Sequence, residues 1–201
     1  MLLATRSAGK LRELRALFGG EGIEVLDLDD VAIPESAAEG SLERYETFAE
    51  NALAKGRYFH SLGGLPTMAD DSGLEVLALG GAPGVRSKRW SERTELTGEA
   101  LDHANNERLL AVLSAEEDRR ARYVCVAVYV DDDRSFVCRG ETLGRVLRGA
   151  RGTEGFGYDP LFESDELGGK TFGEVSTADK EGISHRGRAF RALLSELRHR
   201  G

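Results

Sequence analysis

Hydrophobic positions along the chain switch repeatedly between short apolar runs and the three-to-four spacing of helices. The opening MLLAT predicts a strand, and Leu11, Leu14 and Phe18 then recur at helical spacing until Gly19 and Gly20 stop the pattern. IEVLDL at 23–28 predicts a second strand, and the acidic, proline-containing stretch 29–40 a loop. Thr47 and Glu50 have capping-box spacing, so a helix is expected from near Phe48 to about Ser61, with Phe48, Ala52 and Phe59 on its inner face. LPTMA reads as a strand that ends in a DDSG turn, and GGAPGV at 80–85 as an extended loop. A helix over Thr97–Ser114 follows, with Leu101, Leu109 and Val112 among its apolar positions. ARYVCVAVYV and SFVCRGETLGRVL flank Asp131–Asp133 as a β-hairpin. A glycine-rich loop, GTEGFGYDP, and an irregular region lead to a last helix from near Ser184, carried by Ala189, Phe190, Leu193 and Leu197. No repeat or linker interrupts the alternation, so residues 1–201 are read as one α/β domain.

Composition narrows the classes. Forty per cent hydrophobic and 31% charged residues suit a packed core under a charged surface. The longest apolar stretch, 123–130, is too short to span a bilayer, and no signal-peptide pattern opens the chain, so a cytoplasmic protein without a membrane partner is expected. Cys125 and Cys138, the two cysteines, lack metal-site or disulfide spacing and read as reduced core thiols. Lysine and arginine number 27 against 35 acids, a net charge of −8 that repels long polyanions and argues against nucleic acid as a partner. A small anionic substrate remains compatible, given locally placed cations or a metal.

Four fragments could carry chemistry. In ADDSGL, Asp70 and Asp71 could offer the hard oxygens that magnesium prefers, with Glu43 as a third carboxylate; a polar exit from a strand would look the same. TRSAGK places Thr5, Ser7 and Lys10 where a strand turns into a helix, whose free N–H groups could receive phosphate or simply be capped. Its Ser-x-x-Lys spacing also fits penicillin-recognising acyl transferases, but their Ser-Asp-Asn and Lys-Thr-Gly elements are absent. ISHRG gathers donors, His185 and Arg186, at a helix start, with Lys180 nearby; they could bond a phosphate or a base carbonyl, or face solvent. In GFGYDP, Phe156 or Tyr158 could stack on a flat heterocycle or plug the core. Asn51 and Lys55, four apart on the second helix, share a face.

In their order, TRSAGK, ETFAENALAKG, ADDSGL, GGAPGVRSKR, GFGYDP and ISHRG resemble the Ham1-like inosine triphosphate pyrophosphatase family from end to end. The resemblance implies an α/β fold with a long, mixed, twisted sheet, two lobes around a nucleotide cleft, and usually a homodimer. It implies hydrolysis of ITP, dITP and XTP to the monophosphate and pyrophosphate, which cleanses the nucleotide pool. Carried over by motif, Asp71 is the general base and, with Asp70 and Glu43, a magnesium carboxylate; Ser72 contacts substrate. Thr5, Ser7, Lys10 and Lys55 hold the triphosphate, and Phe156, Gly157, Tyr158, Asp159, Lys180, His185 and Arg186 the base and sugar. Hypoxanthine and xanthine carry a carbonyl where adenine carries an amino group, so donors aimed there would be left unpaired by adenine, at about 1–3 kcal/mol. Two positions depart from the family pattern: Ser7 stands where asparagine is common, and Glu43-Arg44-Tyr45 where Glu-Thr-Gly is usual. The competing readings are a Maf-like pyrophosphatase for pyrimidine or modified nucleotides, and a nucleotide-binding regulator without catalysis.

Overall fold

The computed structural model describes residues 1–200. In chain order the regular elements are β1 (Leu2–Leu3), α1 (Ala8–Gly20), α2 (Phe48–Gly63), β2 (Thr67–Val76), α3 (Gly98–Val112), β3 (Arg120–Val130), β4 (Ser135–Val146), β5 (Phe162–Ser164), α4 (Thr177–Ile183) and α5 (His185–Arg200), with short 3₁₀ turns in the connections. The strands form one sheet in the order β1-β2-β3-β4-β5. β1 runs parallel to β2, with Leu2 opposite Thr67, whereas β4 and β5 are antiparallel, with Val146 opposite Phe162, so the sheet is mixed. The fold is therefore α/β with a mixed sheet and flanking helices, and among the described residues no helix is long and apolar enough to cross a membrane.

Local chemistry sets the helix starts. Thr47 Oγ1 accepts the Glu50 N–H at 3.2 Å and opens α2, which closes at Gly64 in the left-handed conformation (φ 61°). At α1 the cap is Ser7, whose Oγ accepts the Lys10 N–H at 3.4 Å. The β3–β4 connection is tied by Asp131 Oδ1, which takes the N–H groups of Asp133 and Arg134 at 3.0 and 2.9 Å.

The chain forms two compact units, one of Met1–Asp71, Cys125–Gly140 and the segment from His185 onward, the other of Ser72–Val124 and Glu141–Ser184. In the first unit, side chains alternate across the strands. Met68, Cys125, Ala127 and Tyr129 join Leu14 and Phe18 of α1 and Phe190 and Leu193 of α5 in one apolar cluster, with the Phe18 and Phe190 rings edge-to-face at 5.7 Å. The intervening Ala69, Val128 and Val130 meet α2 at Gly56, where a Cβ would lie 3.1 Å from both valines. The second unit is built on Leu74, Leu109, Tyr123, Tyr158, Phe162 and Phe172.

Several expectations are corrected. DDSG is not a turn: residues 70–73 lie inside β2, nearly all buried, because helices cover both faces of the strand at Asp70 and Asp71 and its charges find partners there. The strand expected at 23–28 reduces to one bridge, Leu2 with Leu26. Asp27 Oδ1 accepts the N–H groups of Asp29 and Asp30, both at 2.9 Å, and bends the chain immediately after it. The region expected to be irregular contains β5 and α4. On α3 it is Leu109 that is buried, while Val112, in the last turn, is 45% exposed. Cys125 and Cys138 are free thiols.

Candidate active site

Because successive side chains of a strand point to opposite faces, the Asp70–Asp71 dipeptide places its two carboxylates in different surroundings. Asp70 faces α1 and α5. Its Oδ2 is 2.9 Å from Lys10 Nζ and 3.4 Å from Arg186 Nε, and it accepts the Cys125 thiol at 3.6 Å. Arg186, 3% exposed, also pairs with Glu13. Burial raises the Asp70 pKa, but Lys10, Arg186 and Lys55 outweigh it and hold the carboxyl well below the ordinary range.

Asp71 faces α2. Its Oδ2 accepts the Asn51 amide at 2.9 Å. Here burial dominates, with Glu43 adding to it against Lys10 and Lys55, and the pKa is raised. Two adjacent carboxylates with pKa values moved in opposite directions are suited to different work, one a fixed anion and the other able to take a proton. Lys55 Nζ reaches the Asp70 carbonyl at 2.9 Å and pairs with Glu43. Burial disfavours its charge, yet Glu43, Asp70 and Asp71 keep its pKa above the ordinary value.

The first unit thus gathers Lys10, Glu43, Lys55, Asp70, Asp71 and Arg186. Thr5 is buried and its Oγ1 accepts the Ser7 N–H at 3.2 Å. Ser7 is half-buried as the α1 cap, a task its hydroxyl performs without an amide. Tyr45 needs none of glycine's freedom, since its φ is not in the left-handed region. Asn51 holds it instead, accepting its N–H at 2.9 Å and donating to its carbonyl at 3.3 Å, so one amide fixes both the Glu43 approach and Asp71. His185 is buried at the start of α5.

The second unit carries the remaining candidates. Asp159 Oδ2 accepts the Phe156 N–H at 2.9 Å and Lys180 Nζ at 2.6 Å; Lys180 and Asp159 are 3% and 2% exposed. The Lys180 ammonium lies 5.2 Å from the Phe156 ring centre and 5.1 Å from that of Phe172. Tyr158 is buried and donates its hydroxyl to the Ser87 carbonyl at 2.8 Å, so it plugs the core, whereas Phe156 is half-buried. Gly157 is left-handed (φ 64°) and its N–H donates to Asp102 Oδ2 at 2.8 Å. Ser72 is half-buried on β2.

Sequence reasoning passed over Glu13, Asp102 and Asn106. Glu13 follows Lys10 by three, a spacing that puts both on one helix face and could have flagged it. Lys180 and Arg186, read as donors to a base, are each held against a buried carboxylate.

The model of the Ham1 family matches residues 1–196. The chain is 44% identical over 201 residues to a dITP/XTP pyrophosphatase of Ralstonia nicotianae, covering 98% of this chain and 96% of that protein. It is 45% identical over 202 residues to a dITP/XTP pyrophosphatase of Mycolicibacterium paratuberculosis, covering 98% and 95%. Among solved structures, a HAM1 protein from Coxiella burnetii superposes with TM-score 0.82 at 33% identity, covering 98% of each chain. A nucleoside-triphosphatase (dITP/XTP pyrophosphatase) from Mycobacterium abscessus does so with TM-score 0.70 at 40% identity, again over 98% of each.

Proposed function

The chain belongs to the Ham1 family, and we propose from that membership and the geometry above that it hydrolyses dITP, XTP and ITP to the monophosphate and pyrophosphate. The observation that carries the mechanism is the geometry of β2: Asp70 Oδ2 is held between Lys10 and Arg186, while Asp71 points to the other face of the strand, where Asn51 of α2 holds its Oδ2. Asp71 acts as the general base that takes a proton from the attacking water. Lys10 and Lys55, with Thr5 and Ser7, balance and orient the triphosphate against the chain's overall negative charge. Phe156 stacks on the purine, and Ser72 bonds the substrate beside Asp71. Lys180 braces the Phe156 ring from its pair with Asp159, and Arg186 fixes Asp70.

Among the described residues no three His, Cys, Asp or Glu side chains gather into a cage that would hold a metal alone. Magnesium does not need one, since it takes one or two carboxylates and fills its shell with water and substrate phosphates. The donors fit: Glu43 and Asp71 supply hard oxygens on the α2 side of β2, whereas Asp70, expected as a further magnesium carboxylate, points to the opposite face, where Lys10 and Arg186 hold its Oδ2. Glu43 and Asp71 would hold the ion, which would supply charge withdrawal from the reacting phosphorus and leaving pyrophosphate. We further propose that the whole chain works as one catalytic domain, as a homodimer, in the cytoplasm.

A panel of XTP, dITP, ITP, ATP and CTP with magnesium, scored for both pyrophosphate and orthophosphate, tests this reading. Pyrophosphate from the first three, with little turnover of ATP or CTP, is expected. Orthophosphate as the product, or equal rates on all five, would refute it.

A further inference from the structure

The segment that carries Phe156 is gripped by α3. Asp102 and Asn106 stand one turn apart on that helix, so their side chains leave the same face. Asp102 Oδ2 accepts the N–H of Gly157 at 2.8 Å, and Asn106 Nδ2 donates to the carbonyl of Gly157 at 3.0 Å. One residue is therefore held by both of its main-chain polar groups, from two side chains of a rigid helix. That residue is left-handed (φ 64°), a conformation that glycine adopts freely. On either side, the Phe156 N–H is tied to Asp159 and the Tyr158 hydroxyl to Ser87, so the whole run from Phe156 to Asp159 is fixed.

The cost of this arrangement argues that the clamp has a task. Asp102 is half-buried, and desolvation raises its pKa despite the Gly157 N–H. Asn106 spends its amide on Gly157 and leaves Oδ1 buried without a hydrogen-bond partner. Apolar residues at both positions would pack α3 without these penalties but would release Gly157. Phe156, half-buried with the Lys180 ammonium beside its ring, is what the clamp orients.

We propose that Asp102 and Asn106 are positioning residues for base recognition, fixing the plane of the Phe156 ring through the backbone of Gly157. The proposal rests on the reading that Phe156 stacks on the purine. Ring orientation matters to affinity because stacking needs a flat, pre-set surface; a mobile ring must be ordered by each substrate, at the expense of binding. The clamp touches no reacting atom, so it governs KM and discrimination among bases rather than the chemical step.

The test is steady-state kinetics on XTP, with ATP as the comparison, for Phe156→Ala, Asp102→Ala, Asp102→Asn and Asn106→Leu, each checked for folding by circular dichroism. Phe156→Ala raises KM for XTP about tenfold or more. Asp102→Ala and Asn106→Leu each raise it about five- to tenfold, with kcat within about twofold and a narrowed preference for XTP over ATP. Asp102→Asn, whose amide oxygen still accepts the Gly157 N–H, recovers most of the loss. If Phe156→Ala raises KM and folded Asp102→Ala and Asn106→Leu do not, the clamp is refuted while the stacking reading stands. Unchanged KM in Phe156→Ala overturns both. A fall in kcat at constant KM, or Asp102→Asn as impaired as Asp102→Ala, refutes the hydrogen-bonded positioning role. Should Asp102→Ala not fold, Asn106→Leu and Asp102→Asn decide by the same criteria.

Discussion

Replacing Asp70 by asparagine keeps the shape of the side chain and removes its charge from a site that is 1% exposed. Two cations converge on Oδ2, Lys10 at 2.9 Å and Arg186 at 3.4 Å. Removing one partner of a buried ion pair costs about 3–5 kcal/mol, because the remaining charge stays desolvated. The lower end applies here, since Arg186 keeps Glu13 and the Lys10 side chain, 15% exposed, retains a route to water. A loss of about 3 kcal/mol is a large part of a typical stability of about 5–15 kcal/mol. For a chain of this length it corresponds to a fall in Tm of about 6–12 °C. Urea unfolding followed by circular dichroism measures it, and Arg186→Met with Asp70→Asn/Arg186→Met completes a double-mutant cycle. The double variant is expected to lose markedly less than the sum of the singles. A loss below about 1 kcal/mol for Asp70→Asn, or strict additivity in the cycle, would refute the view that Asp70 is an electrostatic anchor.

Three further outcomes are expected. Asp71→Asn lowers kcat about 10²–10⁴-fold while substrate still binds in a filter or fluorescence assay, as loss of a general base requires; unchanged kcat removes Asp71 from that role. Gly140→Ala sets a Cβ 2.2 Å from the His185 carbonyl oxygen and 2.5 Å from the Ala189 nitrogen, both backbone atoms, and should destabilise by about 1–3 kcal/mol in urea melts; a neutral result would mean that α5 shifts freely. His60 Nδ1 is 2.8 Å from the Leu65 carbonyl and Nε2 3.2 Å from Asp132, so its folded pKa is raised, chiefly by the Leu65 carbonyl. A raised value stabilises below the unfolded pKa and is lost as pH rises through the folded one; unfolding free energy should therefore fall as pH rises from below the unfolded value of about 6.5 through the raised folded one, and His60→Ala should flatten that slope.

What could be read from sequence was whatever a few neighbouring residues decide. Thr47 with Glu50, and Ser7 ahead of α1, announce helix starts because the capping atoms lie within three residues of the N–H they accept. The β3–β4 hairpin was equally plain from two apolar runs around three aspartates. Asp70 and Asp71 misled because charged residues at a strand centre look like its end; their partners Arg186 and Asn51 are 116 and 20 residues away. Arg186 looked like a donor to substrate for the same reason, with Glu13 at a separation of 173 residues. Asp102 and Asn106 gave no sign at all, because Gly157 lies 55 and 51 residues beyond them.

The alternation along β2 also makes turnover a gauge of how the strand is threaded. A shift of one residue would move Asp71 among the cations that now hold Asp70, and move its neighbours to the wrong side of the sheet. Such a molecule could be compact, helical and ordinary by circular dichroism, yet the carboxylate assigned as the base would be locked as an anion. Specific activity per folded molecule, followed during refolding, therefore counts chains whose pairing parity is right, and distinguishes them from chains that have merely collapsed.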